Sequence, residues 1–119
     1  MIVSHKDKKI PTRLEGELKN VVKRVLITPQ DGWKGWVMRH FEIGPEGYTL
    51  RHRHPWPHIN YIIKGQGMLY IDGKEYEITE GSFAYIPSNA LHQFVNTGKE
   101  VLELICIVPE EGESEIKRR

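Results

Sequence analysis

Gly47-Tyr48-Thr49-Leu50-Arg51-His52-Arg53-His54-Pro55-Trp56-Pro57-His58, answered further along by Pro87-Ser88-Asn89-Ala90-Leu91-His92-Gln93-Phe94-Val95-Asn96, is the text on which the fold turns. Alternate side chains of a strand share a face, so His52 and His54 point the same way and can reach one ion. His58 stands at an even offset from His54, which keeps it on that face if the strand continues. Pro55 and Pro57 argue against a regular ladder and for an irregular entry that bends His58 toward the same point. Four of the six histidines thus fall at spacings that let one β-barrel hold one metal ion. Clustered neutral imidazoles suit Zn, Cu, Fe, Ni or Mn better than Mg or Ca, so a divalent transition metal is expected. Arg51-His52-Arg53-His54 alone would serve equally as an anion-binding patch, because an H-x-H pair is short and frequent. His58 and His92 tip the reading toward metal.

Working outward, the chain from Val21 onward reads as short alternating runs separated by Gly, Pro, Asn and Asp, the punctuation of an antiparallel all-β domain. The expected strands are Val21–Thr28, Lys34–Ile43, Tyr48–His54, Ile59–Gly65, Gly67–Ile71, Lys74–Ile78, Ser82–Ile86, His92–Asn96 and Val101–Val108. Asp72-Gly73 predicts a tight hairpin that needs positive φ, and Pro87-Ser88-Asn89 and Asn96-Thr97-Gly98 predict two further turns. Strands this short and regular favour a sandwich or a closed barrel. The domain reading is an N-terminal segment over 1–20, a barrel over 21–109 and a charged, loose tail over 110–119.

With 119 residues the chain is sized for one domain with a real core. A formal net charge of +1 gives no electrostatic case for nucleic acid. Lys6, Lys8 and Lys9 are interrupted by Asp7 and read as a solvated terminus. No apolar run reaches the length of a membrane span or a signal segment, and the single cysteine, Cys106, cannot form an intramolecular disulfide. A soluble, cytoplasmic protein with a small-molecule partner is the expectation.

These residues resemble the two motifs of the cupin superfamily, whose members are jelly-roll barrels, also called double-stranded β-helices. The first family motif runs Gly, five residues, His-x-His, three or four residues, Glu, six residues, Gly. Gly47 stands one residue nearer to His52-x-His54, His58 replaces the Glu, and Gly65 follows at the usual distance. The second motif is matched by Gly81, Pro87, His92 and Asn96, with Asn89 where the family has a glycine; Asn also tolerates the left-handed conformation. The resemblance implies an all-β barrel, a metal held by His52, His54, His58 and His92, manganese first and Fe, Ni, Cu or Zn behind it, and a homodimer. N-terminal strands such as Val21–Ile27 would pack on the other subunit. With His58 in place of Glu, a four-imidazole set leaves the ion its full charge, which favours an anionic or oxygen-rich ligand.

Other pocket candidates follow from strand parity. Glu103 is charged, so Leu102, Leu104, Cys106 and Val108 are expected to face inward; Cys106 is then a small buried residue or a pocket thiol. Before the first motif, either Trp36, Met38, His40 and Glu42 or Val37, Arg39, Phe41 and Ile43 face inward, and an inward Arg39 would clamp a carboxylate. Phe94 and Ile62 are expected to wall the pocket, and Trp56 to stand at its rim. Asn96 should stabilise the turn before Gly98, while His5 and His40 are expected to be ordinary surface or strand histidines. Two ligand positions left open on an octahedral ion suit a metal-dependent oxidoreductase or dioxygenase-like enzyme. The alternatives are Lewis-acid isomerase, decarboxylase or lyase chemistry and a non-enzymatic binding module.

Overall fold

A computed structural model describes residues 1–114. Nine strands follow one another: β1 (Thr12–Arg13), β2 (Lys19–Ile27), β3 (Trp36–Tyr48), β4 (His58–Lys64), β5 (Gln66–Ile71), β6 (Lys74–Thr79), β7 (Phe83–Ile86), β8 (His92–Asn96) and β9 (Leu102–Pro109). All pairings are antiparallel, in the order β6-β5-β8-β3-β9-β4-β7, with β2 on the far side of β3 and β1 beyond it. This is a nearly closed jelly-roll barrel, the all-β fold that the strand pattern predicts. Among the described residues no helix is long and apolar enough to cross a membrane.

Period-2 alternation decides what enters the lumen. In β9, Leu102, Leu104, Cys106 and Val108 are all buried, as the charge on Glu103 predicts. In β3, Val37 and Ile43 join the core while Arg39 and Phe41 face the cavity. The opposite face carries the Arg24–Glu42 ion pair and His40, whose Nε2 lies 2.7 Å from Glu103 Oε2. His40 is therefore a strand histidine on the outer face, yet buried, which its charged neighbours in sequence did not indicate. Val21, Ile43, Ile62, Leu69, Ile86, Phe94, Leu102 and Leu104 form the main core; a smaller cluster of Val37, Cys106 and Val108 lies toward the other end.

The turns follow their chemistry. Asp72 (φ 45°) and Gly73 (φ 90°) close a two-residue hairpin in which Ile71 faces Lys74. Asn89 adopts φ 65°, the conformation that suits the glycine of the motif. Asn96 secures its turn through three bonds: Nδ2 donates to the carbonyls of Ile43 and Glu100, each at 2.8 Å, and Oδ1 accepts from Gly98 N at 2.9 Å.

Two expectations are corrected. The strand expected over Tyr48–His54 does not form: β3 continues through Pro45 to Tyr48, and His52 joins the sheet only by a single bridge to His92. Pro45 sits where the β2–β3 register slips between Lys19 and Val21, a bulge that has no ladder bond for proline to lose. The looseness expected from residue 110 does not hold over the start of that segment. Glu110–Gly112 form a 3-10 turn and the Glu113 side chain is fully buried; residues 115–119 of that expectation lie outside the described residues.

Candidate metal centre

β8 delivers His92 and β4 begins with His58, while the irregular segment between β3 and β4 delivers His52 and His54. The backbone bridge sets the first contact: His52 N donates to His92 O at 3.2 Å and His92 N to His52 O at 3.0 Å. His52, His54 and His92 present ring nitrogens that all lie within 4.8 Å of one another. His58 stands beside this trio and outside its mutual spacing. Its Nε2 is 3.1 Å from His92 Nε2, and its ring centroid lies 5.2 Å from that of His54. The expected four-histidine set is thus observed as a cluster of three with a fourth ring adjoining.

The outer nitrogens fix the tautomers. His54 Nδ1 is 2.8 Å from the Trp56 carbonyl and His92 Nδ1 is 2.9 Å from the Ala90 carbonyl. A carbonyl only accepts, so both Nδ1 atoms carry the proton and both Nε2 atoms keep a lone pair. His58 Nδ1 donates to Asn60 Oδ1 at 2.6 Å, and Asn60 is oriented by its own Nδ2 donating to the Ile105 carbonyl at 3.4 Å. Carbonyl-type acceptors behind imidazoles are how metal-ligating histidines are held, so the donor set fits a divalent transition ion. Burial, first, holds the pKa of His52, His58 and His92 down at about 4, and it lowers that of His54 as well. Neighbouring histidines add to the effect at His52. These rings are neutral at pH 7, the state in which they can ligate.

A cavity of about 220 Å³ opens on the cluster. Phe41, Leu50, Phe94 and Leu104 wall it, and Trp56 stacks on His54 with ring centroids 4.9 Å apart and planes 11° apart. Arg39 and Cys106 both line it, Arg39 Nη2 lying 3.0 Å from Cys106 Sγ. The expected pocket residues Arg39, Trp56, Phe94 and Cys106 are there, but Ile62 is not. Four residues along a strand advance about 13 Å, which carries Ile62 past the cavity into the main core. Glu42 and Glu103 point away, to Arg24 and His40.

Sequence reasoning missed Asn60 and Lys23. Asn60 is two residues past His58, so strand parity alone places it inward. Lys23 sits between Val21 and Val25 on the inward face of β2, and a lysine on an apolar stripe was the available signal. Its Nζ lies 2.8 Å from Glu113 Oε2.

A jelly-roll barrel with a buried imidazole cluster in its lumen defines a class of small metal-binding barrels. The family profile described as "Cupin domain" matches residues 39–108, more than half of the chain, and the chain belongs to that family. It is 30% identical over 90 residues, 76% of this chain and 56% of the other, to 1-methylthio-D-xylulose 5-phosphate methylsulfurylase of Rhodospirillum rubrum. Auxin-binding protein 1 of Arabidopsis thaliana is 36% identical over 73 residues, 54% of this chain and 37% of the other. The chain spans about half the length of the curated relatives it matches, 47% and 56% for two of them. Among solved structures, the polyketide cyclase RemF of Streptomyces resistomycificus superposes with a TM-score of 0.84 at 27% identity, covering 92% of this chain and 80% of that one. A predicted oxalate decarboxylase of Thermotoga maritima superposes equally well, TM-score 0.84, covering 91% and 98%; at 22% identity it speaks to the fold alone.

Proposed function

We propose that this cupin binds a small oxyanion-bearing molecule at a divalent ion held by His52, His54, His58 and His92, manganese first and iron, nickel, copper or zinc after it. The observation that carries the reading is Arg39, a guanidinium facing the same apolar cavity as the cluster of neutral imidazoles. Bound there, the ion would supply Lewis acidity to an oxygen of the ligand. The chain's own residues do the rest. His54, His58 and His92 keep Nε2 lone pairs available because Trp56, Asn60 and Ala90 hold their Nδ1 protons. Arg39 orients a negative group, and Phe41, Phe94 and Leu104 exclude water, which strengthens each polar contact inside.

Non-redox chemistry or ligand binding suits this site better than the oxygenase reading that open metal positions first suggest. Cys106 lines the cavity, and reactive oxygen generated there would meet an oxidisable thiol. Similarity to a polyketide cyclase and to a methylsulfurylase supports ring-closing or group-transfer chemistry over oxygen consumption. The test is elemental analysis of tag-free, natively purified protein, coupled to oxygen uptake on a panel of small acids, thiols and enols. A stoichiometric divalent metal without uptake is expected. Substrate-dependent uptake would restore the oxygenase reading, and protein purified without metal would remove the metal from the site.

A second copy of the chain is the proposed macromolecular partner. Ile59 and Tyr61 of β4 pair with Tyr85 and Phe83 of β7, and all four side chains stand out from the barrel's outer face, Phe83 at 82% exposure. An exposed apolar face of this kind suits an isologous contact about a two-fold axis.

A further inference from the structure

Two cations face the ligand cavity from adjacent strands. Lys23 of β2 lies opposite Phe41 and Arg39 of β3 lies opposite Val25, so they are diagonal neighbours on one inner face. Both reach the same carboxylate. Lys23 Nζ is 2.8 Å from Glu113 Oε2 and Arg39 Nη1 is 3.4 Å from Glu113 Oε1.

Glu113 serves Arg39 poorly. A guanidinium fork normally takes a carboxylate through two parallel bonds of about 2.8 Å. Here Nη1 makes only long contacts, 3.4 Å to Glu113 and 3.5 Å to the Gly112 carbonyl, and Nη2 faces the weak acceptor Cys106 Sγ. Nε is buried and meets no acceptor among the described residues. Glu113 follows directly on the turn Glu110–Gly112, whose Gly112 packs so closely that a Cβ there would come within 2.7 Å of Trp56 Nε1 and 2.4 Å of Val108 Cγ2. The turn is therefore a piece of the cavity wall that brings its own carboxylate.

We propose that Lys23 and Arg39 form a carboxylate subsite of the cavity, and that Glu113 is a tethered occupant which the carboxylate of a ligand displaces. The ligand class is a small molecule with two oxygen-bearing ends, such as a dicarboxylate, one end directed to the histidine cluster and the other to Lys23 and Arg39. The end directed to the histidine cluster rests on the metal reading above; the subsite does not. A tethered carboxylate competes at high effective concentration, so the unaltered chain binds such a ligand more weakly than a chain without that carboxylate would.

The test is calorimetric titration of succinate into the full chain and its Glu113→Gln variant, each metal-free and each loaded with manganese. The variant is expected to bind succinate at least about fivefold tighter in both states, with Arg39→Gln in the same background abolishing the gain. A Glu113→Gln protein that melts with the parent and binds succinate no tighter overturns the proposal. If that variant does not fold, hydrogen exchange on the parent chain decides. The Glu113 amide, bonded to the Glu110 carbonyl at 3.1 Å, should exchange faster under saturating succinate, and unchanged protection overturns displacement. Failure of manganese to bind would strike the metal reading alone, because the metal-free titrations decide this one.

Discussion

Asn60 offers the cavity no ligand atom of its own, yet it determines which nitrogen of His58 is available. Replacing it with leucine leaves the His58 Nδ1 proton without its acceptor and frees the ring to rotate or change tautomer. Metal affinity should fall about 10- to 100-fold in Asn60→Leu, read by competition against a chromophoric chelator. Unaltered affinity would place His58 outside the metal's shell. Single alanine variants probe the ligands directly: His52→Ala, His54→Ala and His92→Ala should each lower bound metal, and so should His58→Ala if it completes the set. At this scale the sequence showed the histidines because imidazole is a conspicuous ligand at even offsets. Lys23 escaped because its partner Glu113 lies far along the chain, and Asn60 because the carbonyl that orients it belongs to the neighbouring strand β9; parity places both side chains inward but encodes neither partner.

Among the elements, the hairpins and the parity of β9 were legible because each depends on residues adjacent in the chain. The β3 bulge and the bridge of His52 to His92 were not, since both are settled by the partner strand. Glu110–Glu113 escaped for a related reason. Composition marks Glu110-Glu111-Gly112-Glu113 as solvated, whereas the two inward cations help make its last carboxylate worth burying. Asn96 is the sharpest test at this scale. It ties β8 to β3 through Ile43 and closes the turn to Glu100, all from a buried side chain. Asn96→Ala should cost about 2–3 kcal/mol in denaturant unfolding, since it strands two carbonyls and one amide. A loss below about 0.5 kcal/mol would show that water replaces these bonds.

For the molecule as a whole, the imidazole cluster predicts how stability depends on pH. Burial holds His52, His58 and His92 at about 4, against 6.5 for an unperturbed histidine. Between these values the unfolded chain takes up protons that the folded chain refuses. Stability of the metal-free protein is therefore full above pH 6.5, falls as pH drops toward 4, and levels off below that. The melting temperature should fall by more than about 5 °C across the window. A flat profile would mean the rings are solvated. Assembly is tested by sedimentation: the parent chain should run as a dimer at micromolar concentration and Phe83→Glu as a monomer. A parent monomer would leave the β4–β7 face without its proposed partner.

Trp56 lies flat against His54, while Trp33 and Trp36 stack on each other with centroids 6.3 Å apart. The indole that touches the cluster is thus an optical reporter built into the site. Paramagnetic manganese, iron or copper would quench its emission through the shared stack and diamagnetic zinc would leave it bright, so the brightness of the protein's own light can separate those occupants from zinc before any substrate is known.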